Sequence, residues 1–256
     1  MTSVIAAPRV VGLIPSRLAS TRLPNKPLAD IHGWPMIQHV WERAGRTSVL
    51  SEVAVATPDE EIIRAVEAFG GRAIRTLDSH RSGTDRIAEA AVILGLQPRD
   101  IVVNIQGDEP LLDPTAIEAV VSLLQSDPNL SMASLMCPCP YDDLDNPDCV
   151  KVVCALNGNA LYFSRARAPF PRRPNGATVF QHIGLYGYRR DFLEMFASLP
   201  ATPLEMTESL EQLRVLEHGY PIRMARAAAA PIGVDTPEDL ERVRELIGGG
   251  SGALTN

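Results

Sequence analysis

Short apolar runs alternate with amphipathic segments over the first half of the chain. Runs of this kind are typical of parallel strands buried on both faces. The strand runs are VVGLIP, EVAVAT and IVVNIQ, with a weaker one near RAI. The intervening segments have helical spacing: PMIQHVWERA, PDEEIIRAVEAFGG and TDRIAEAAVILG. The first begins with proline, and the other two end in glycine, as is typical of helix starts and ends. Strands that alternate with helices predict an α/β fold with a doubly wound, mostly parallel sheet.

The pattern changes after Asp113. KVVCALNGNALYFS predicts two antiparallel strands around an Asn-Gly turn, and HIGLYGY predicts one further strand. PIGVDTPEDLERVREL predicts a last strand followed by a helix. We expect a single domain over residues 1–247 and, in the glycine-rich end, a flexible tail over residues 248–256.

Composition is ordinary for a globular protein and limits the partners. The 256 residues are 45% hydrophobic and 21% charged, which suits one large α/β domain. No apolar run approaches the roughly 18 residues that span a bilayer, and the N-terminus lacks signal-peptide features. We therefore expect a cytoplasmic protein without a membrane partner. The formal net charge of −7 argues against general nucleic-acid binding, which needs a basic face.

The four cysteines lie close together in the chain, at Cys137, Cys139, Cys149 and Cys154. C-P-C is not a usual zinc spacing, and no histidine stands near it in the sequence. The pattern favours reduced thiols over a metal site or a disulfide.

A basic loop follows the first predicted strand. SRLASTRLPNKPL contains Arg17, Arg22 and Lys26 without a single acid. In an open parallel sheet, ligands lie outside the carboxyl ends of the strands, where this loop begins. Its cations and backbone N–H groups are suited to a triphosphate, although the loop has neither the Walker A nor the G-x-G-x-x-G spacing. The alternative is a solvated basic loop.

Two acids follow another buried strand. NIQGDEPLL places Asp108 and Glu109 just past the end of that strand. A carboxylate there suits Mg²⁺, which prefers hard oxygen ligands and takes only one or two from the protein. The alternative is an acid that caps the helix after Pro110 or Pro114.

Two further stretches place polar groups after strands. DSHRSGTDR contains Arg81 and Arg86, although Thr84 is also suited to cap a helix. In GVDTPEDLERVR, a Thr-Pro pair and Asp239 have the spacing of a helix start. Asp235 is left outside that helix, at the predicted strand end, which suggests a second magnesium carboxylate.

Together these stretches resemble the 3-deoxy-manno-octulosonate cytidylyltransferase family, also called CMP-Kdo synthetases. The similarity runs in unbroken order from about Val10 to Leu246. The motifs are IPSRLASTRLPNKPL, RSGTDR, NIQGDEP, NPDCVKVV, ALYFSRA, HIGLYGYR, LEQLR and GVDTPEDLERVR.

The resemblance implies transfer of CMP from CTP to the anomeric hydroxyl of the sugar acid Kdo, with Mg²⁺ and release of pyrophosphate, for lipopolysaccharide biosynthesis. It implies a Rossmann-like nucleotidyltransferase sheet with a smaller β-rich insertion, over about 130–200, that forms a homodimer. The alternatives are a cytidylyltransferase for another sugar acid, such as sialic acid or 8-amino-Kdo, and a catalytically silent nucleotide-binding homologue.

The resemblance also implies roles for individual residues, by position in the shared motifs. The catalytic set is Arg17, Lys26, Asp108 and Asp235, of which Asp108 and Asp235 are metal ligands. The nucleotide-binding set is Ser16, Arg17, Arg22, Lys26, Ser82, Gly83, Arg86, Gln106 and Asp108. The sugar-binding set is Gln106, Arg165, His182, Tyr186, Glu211 and Gln212.

Departures and alternatives remain for several positions. Asn25 stands where many members of the family have glycine, and asparagine tolerates the positive φ of such a turn. The stretch between residues 165 and 181 is shorter than in many relatives. His182 and Tyr186 share a face of a predicted strand, so core packing is an alternative for both. For Glu211 the alternative is a surface helical pair with Arg214.

Overall fold

The computed structural model describes residues 7–19, 22–173 and 176–249. The strands are β1 (Val10–Pro15), β2 (Asp30–Ile31), β3 (Trp34–Pro35), β4 (Glu52–Thr57), β5 (Arg72–Arg75), β6 (Ile101–Asn104), β7 (Met132–Pro138), β8 (Lys151–Cys154), β9 (Ala160–Ser164), β10 (Phe180–Arg189) and β11 (Arg223–Arg226). The helices are α1 (Met36–Ala44), α2 (Glu60–Ala68), α3 (Gly83–Ile93), α4 (Pro114–Ser126), α5 (Arg190–Ser198), α6 (Pro203–Glu208), α7 (Gln212–Glu217) and α8 (Pro237–Gly249).

One nine-stranded sheet runs through the structure, and its central order is β11-β7-β10-β6-β1-β4-β5. Strand β1 pairs in parallel with β4 on one side and with β6 on the other. Strand β10 is antiparallel to β6 and β7, its neighbours in this central order. The predicted doubly wound, mostly parallel sheet is confirmed. The direction of winding changes at β1, and the crevice at such a position is where ligands bind in open α/β sheets.

The apolar runs form strands because both faces of the sheet are covered. Along β1, Val11 and Leu13 join one core layer, whereas Val10 and Ile14 join the other. Side chains alternate between the two faces of a strand, so a continuous apolar run supplies both layers. At Gly187 a Cβ would lie 2.5 Å from Cγ1 of Val120, so glycine allows α4 to pack closely on β10.

The β-rich insertion is smaller than expected. Strands β7 and β10 lie inside the central sheet, because each pairs along its length with neighbours there. The hairpin of β8 and β9 branches from the start of β10, where Phe180 and Gln181 pair with β8. The expected boundaries of about 130–200 therefore take in strands of the main sheet.

Two expectations for the C-terminal part are wrong. The segment PIGV forms no strand; the last strand is β11, earlier in the chain. Gly248 and Gly249 belong to the last turn of α8 rather than to a flexible tail. The rest of that tail, residues 250–256, lies outside the described residues. No helix in the described part of the chain is both long and apolar enough to cross a membrane.

A small third cluster fixes the segment before α8. Val234, Leu240 and Val243 are buried against Ile31 and Met36. The backbone N–H of Val234 also donates to the carbonyl oxygen of Asp108 at 2.9 Å. These contacts bring the start of α8 to the end of β6, a strand that is distant in sequence.

Candidate active site

The predicted polar residues meet at one edge of the sheet. Ser16 follows β1, Gln106 and Asp108 follow β6, and Ser82 stands at the start of α3. Asp235 lies just before α8, at the end of an extended segment. Because β1 and β6 are parallel neighbours, the loops after them emerge side by side.

Lys26 joins two carboxylates that are far apart in the sequence. Its Nζ lies 2.7 Å from Oδ2 of Asp108 and 3.0 Å from Oδ1 of Asp235. A guanidinium nitrogen of Arg22 lies 3.2 Å from the same Asp235 oxygen. Burial alone would lower the pKa of Lys26, but Asp108 and Asp235 outweigh it and raise that pKa. Lys26 is therefore charged and held in place, not free in solvent as the solvated-loop alternative supposed.

The basic loop and the end of β6 line a cavity of 340 Å³, which we call the cationic cleft. Its polar lining consists of Ser16, Arg17, Arg22, Lys26, Gln106, Asp108 and Asp235. The hydroxyl oxygen of Ser16 is buried there and has no hydrogen-bond partner among the described residues. The backbone of the loop is fixed by Asp59, which accepts a 2.7 Å hydrogen bond from the N–H of Leu18.

Asn25 confirms the expectation for the turn before Lys26. Its φ of 52° and ψ of 31° lie in the left-handed region, which asparagine adopts more readily than most residues. The turn is therefore compatible with asparagine in place of glycine.

A second cavity of 350 Å³, the side cleft, continues from the first. Both are lined by Ser16, Arg17, Gln106 and Asp108. The side cleft adds Ser82, Gly83 and Arg86. The buried Arg86 guanidinium donates to Oγ1 of Thr76 at 2.7 Å. Burial lowers the pKa of Arg86, and the nearby Arg17 contributes. All predicted nucleotide-binding residues thus line one continuous surface.

A third cavity of 230 Å³, which we call the inner cavity, adjoins the side cleft. Gln106 and Gly83 line both the inner cavity and the side cleft. The Gln106 amide is fixed by a 2.7 Å hydrogen bond from Nε2 to the carbonyl oxygen of Gly184. Of the predicted sugar-binding residues, the inner cavity is lined by Gln106, Tyr186, Glu211 and Gln212.

Polar residues outside the predicted set also line the inner cavity. Thr84 Oγ1 donates to Oε2 of Glu211 at 2.9 Å. Burial raises the pKa of Glu211. Asn104 is 4% exposed, and its Oδ1 has no hydrogen-bond partner in the described part of the chain. Sequence reasoning missed Asn104 as a site residue because it ends a buried strand; its polarity in an otherwise apolar run was the available signal.

His182 lies behind Tyr186 and does not line the inner cavity. Its ring packs between Phe163 and Tyr186, with centroid distances of 5.0 and 5.3 Å. This is the geometry of the packing alternative. The expected role of His182 toward a sugar stays a prediction.

The contacts of Ser134 favour one tautomer of His182. Ser134 Oγ lies 2.9 Å from Nε2 of His182, 3.2 Å from the carbonyl oxygen of Ile183 and 3.0 Å from that of Leu185. Carbonyl oxygens only accept, so a Ser134 hydroxyl that donates to either of them can accept from Nε2–H, and this arrangement favours the tautomer protonated at Nε2. Burial lowers the pKa of His182 to about 3, which keeps the ring neutral with Nδ1 as an acceptor.

Arg165 is not brought to any of the three cavities. Its guanidinium donates to the carbonyl oxygens of Glu208 at 2.7 Å and of Pro147 at 2.9 Å. The carboxylate of Glu208 accepts from the backbone N–H of Arg165 at 2.9 Å. The sugar-binding role implied for Arg165 therefore needs a change of position.

The helix caps are formed by other residues than Asp108 and Thr84, for which capping was the alternative role. Asp113 caps α4 by accepting from the N–H of Thr115 at 2.9 Å, which leaves Asp108 without a capping role. Ser82, not Thr84, caps α3. Arg214 pairs with Glu205, with Nε 2.7 Å from Oε2, rather than with Glu211.

The donor set at the cationic cleft fits Mg²⁺. Oxygens of Asp108 and Asp235 converge on one cationic group, the Lys26 ammonium. Carboxylate oxygens are hard ligands, and Mg²⁺ completes its shell with water and phosphate oxygens. Within the described residues, no group of three or more His, Cys, Asp or Glu forms an all-protein metal site. The two acids therefore suit a metal that is held jointly with a phosphate ligand.

The fold and the cleft define a nucleotide-binding α/β protein, with cations and carboxylates at the carboxyl ends of β1 and β6. A family model described as cytidylyltransferase matches residues 11–224. The chain belongs to the cytidylyltransferase family, which confirms the class indicated by its motifs.

Named relatives agree on this class. The chain is 52% identical over 238 residues to a 3-deoxy-manno-octulosonate cytidylyltransferase of Syntrophobacter fumaroxidans, covering 92% of this chain and 95% of the relative. It is 51% identical over 230 residues to an 8-amino-3,8-dideoxy-manno-octulosonate cytidylyltransferase of Shewanella woodyi, covering 89% and 94%. These two similar relatives differ in the named sugar acid.

Solved structures show the same fold. A structure described as CMP:2-keto-3-deoxy-manno-octonic acid synthetase complexed with CTP superposes with a TM-score of 0.91 at 45% identity, covering 94% of this chain and 99% of that one. A 4-diphosphocytidyl-2C-methyl-D-erythritol synthase gives a TM-score of 0.63 at 14% identity, covering 93% and 99%. The second similarity shows the nucleotidyltransferase fold alone.

Proposed function

We propose that this cytidylyltransferase transfers CMP from CTP to the anomeric hydroxyl of Kdo, giving CMP-Kdo and pyrophosphate for lipopolysaccharide biosynthesis. The observation that carries the proposal is Gln106, which lines both the side cleft and the inner cavity. A nucleotide in the first and a sugar acid in the second would meet beside this residue.

The charges of the two clefts suit a nucleoside triphosphate. Arg17, Arg22, Lys26 and Arg86 all line them. When the anomeric oxygen attacks the α-phosphorus, the bond to the bridging oxygen breaks and negative charge develops on the departing pyrophosphate. Fixed cations stabilise that charge, and positioning supplies much of the remaining rate enhancement.

The inner cavity suits a polyhydroxylated acid. Gln106, Asn104, Thr84 and Glu211 offer hydrogen-bonding groups, and Tyr186 offers an aromatic face. The burial of these groups favours a ligand with matching hydroxyls, because an unpaired buried polar group is costly. We keep Arg165 and His182 as predicted sugar-side residues, since both lie next to elements that form the cavity.

Asp108 and Asp235 would hold Mg²⁺ together with phosphate oxygens of CTP. The bound ion would neutralise phosphate charge and favour departure of pyrophosphate. Lys26 then remains beside both carboxylates as an additional cation for the triphosphate.

We also propose a homodimer and a reducing, cytoplasmic setting. Within the described residues, β8 is the ladder partner of β9, and the other edge of β9 is held at its start, where Ala160 donates to the carbonyl oxygen of Ile222 at 2.8 Å. The next residue, Leu161, is exposed and could contact a second copy. Four free thiols are typical of a reducing compartment.

Pyrophosphate release tests the proposal directly. Purified protein with CTP and Mg²⁺ is given Kdo, 8-amino-Kdo or sialic acid in turn, and kcat/KM is compared. We expect the highest value with Kdo. A higher value with 8-amino-Kdo would assign the amino sugar as the substrate, and release with none of the three would identify a silent homologue.

The variant Arg17→Glu tests the placement of the triphosphate. Charge reversal at the cationic cleft should weaken CTP binding measured by calorimetry, because the triphosphate would then face a carboxylate. Unchanged CTP affinity in a folded variant would contradict the placement of the triphosphate.

A further inference from the structure

Two of the free thiols face each other beside the sheet. Cys139 follows β7 and Cys149 precedes β8, and their sulfur atoms are 3.6 Å apart. Both side chains are partly exposed. Since sulfur atoms in a disulfide are about 2.05 Å apart, an approach of roughly 1.5 Å would join these two. In the described part of the chain, the pair belongs to no metal-binding group.

The surroundings distinguish the two sulfur atoms. Cys149 Sγ donates to Oε1 of Gln181 at 3.0 Å. Burial, together with the neighbouring Cys139, raises the pKa of the Cys149 thiol to about 12. The hydrogen bond to Gln181 occupies the thiol proton of Cys149, so we assign Cys139 as the sulfur that attacks an oxidant.

We propose that Cys139 and Cys149 form a dithiol that hydrogen peroxide oxidises to a disulfide. The Cys139 thiolate attacks one peroxide oxygen, the O–O bond breaks, and a sulfenic acid forms while hydroxide leaves and takes up a proton. Cys149 attacks the sulfenic sulfur, the S–O bond breaks, and the hydroxyl leaves with the thiol proton as water. The two thiols supply both electrons that the peroxide accepts.

The segment between the two cysteines contacts Arg165. Arg165 Nη1 donates to the carbonyl oxygen of Pro147, as described above, and an Arg167 guanidinium nitrogen lies 3.6 Å from a carboxylate oxygen of Asp145. A disulfide would tie the ends of this segment together and restrict its movement. Oxidation should then retain Arg165 outside the inner cavity and weaken use of the sugar acid. This coupling rests on the proposed function, whereas the disulfide itself does not.

Peptide mapping of the full chain tests the disulfide. Reduced protein is exposed to hydrogen peroxide and digested under non-reducing conditions. We expect one cross-linked pair, Cys139 with Cys149, that dithiothreitol removes. Cys154→Ser is the control, because the Cys154 sulfur contacts Met136 Sδ at 3.5 Å rather than another thiol, and it should leave the cross-link intact.

Trapping with dimedone tests the order of the steps. In Cys149→Ser the reagent should label Cys139, and in Cys139→Ser it should leave Cys149 unlabelled. Absence of the cross-link in folded wild-type protein would overturn the dithiol proposal. Labelling of Cys149 in Cys139→Ser would overturn the assignment of the attacking sulfur.

Kinetics test the coupling to the sugar side. The oxidised wild type should show a KM for Kdo raised roughly threefold or more, with the KM for CTP unchanged. Cys139→Ser treated with peroxide in the same way should show no rise in the KM for Kdo. A cross-linked enzyme with an unchanged KM for Kdo would contradict the coupling. Failure of the reduced enzyme to release pyrophosphate with any sugar acid would contradict the proposed function, not the dithiol.

Discussion

At the scale of single residues, Asp235 and Asp239 have different roles at the start of α8. Oδ2 of Asp239 accepts from the backbone N–H groups of Asp235 and Thr236 at 3.1 and 2.9 Å. The N–H of Asp239 donates to Oγ1 of Thr236 at 3.2 Å, which completes a reciprocal cap. The Asp235 carboxylate has no part in the cap and points to Lys26 instead.

Replacing Asp235 by asparagine should therefore reduce turnover, whereas replacing Asp239 should reduce stability. Asp235→Asn removes charge from the cationic cleft and should lower kcat by about a hundredfold or more. Asp239→Asn weakens the cap and should cost about 1 kcal/mol of stability with little loss of turnover. Steady-state kinetics across a Mg²⁺ titration and thermal melts measure both. Normal turnover in Asp235→Asn beside an inactive Asp239→Asn would contradict the placement of the metal.

Asn104 is the second prediction at this scale. Its Oδ1 is buried without a partner among the described residues, so a substrate hydroxyl would complete it. Asn104→Leu, of similar size, should raise the KM for the sugar acid about 2- to 10-fold, the equivalent of one hydrogen bond, with the KM for CTP unchanged. The melting temperature is recorded alongside. A lower melting temperature with an unchanged sugar KM would make Asn104 structural only.

At the scale of elements, the α6–α7 pair positions Glu211 and Gln212 at the inner cavity. A buried ion pair joins the two helices, since Glu205 in α6 accepts from Arg214 in α7. Burial opposes ionisation of Glu205, but the hydrogen bonds from Arg214 and from the N–H of Thr202 outweigh it and lower the pKa of Glu205. The folded state therefore favours the carboxylate.

This lowered pKa predicts how stability depends on pH. The contribution of Glu205 should be fully present above its unfolded-state pKa of about 4.3 and lost as pH falls through its lower folded-state value. Glu205→Gln should cost about 3 kcal/mol at neutral pH, and the difference from wild type should shrink below about pH 4. Melts between neutral and acidic pH measure it. Glu60→Gln, in the exposed pair with Arg75, is the control and should change little. A difference that stays constant with pH would exclude the ion pair as its source.

At the scale of the whole molecule, the exposed part of β9, beyond the hydrogen bond of Ala160 to Ile222, predicts an assembly. Edge strands expose unpaired backbone groups and are covered in stable proteins. Leu161 on β9 is 60% exposed. Leu161→Arg should shift the homodimer towards monomer in light scattering. Leu77→Arg, equally exposed at 60% but outside the hairpin, should leave the assembly unchanged. Wild-type protein that is monomeric at all concentrations would contradict the dimer.

The parts of the fold that sequence predicted are those with local causes. Strand β1 could be placed because its apolar run supplies two core layers, and the start of α8 could be placed from the Thr236–Asp239 spacing. The apolar pattern of the segment before α8 predicts a strand there. In the structure, Val234 is buried in the third cluster and Ile232 packs against it, without a strand partner, and no local pattern distinguishes these two kinds of burial.

The sequence by itself determined which charges follow β1 and β6, and hence that the basic loop and Asp108 stand at one edge of the sheet. Tertiary structure decided which of them touch. Lys26 and Asp235 are 209 positions apart, and their 3.0 Å contact depends on the docking of α8 through Val234. It likewise decided that Gln106 lines all three cavities and that Arg165 lines none of them. Periodicity and caps act over a few residues, whereas these distances depend on how distant elements pack, which no short stretch of sequence encodes.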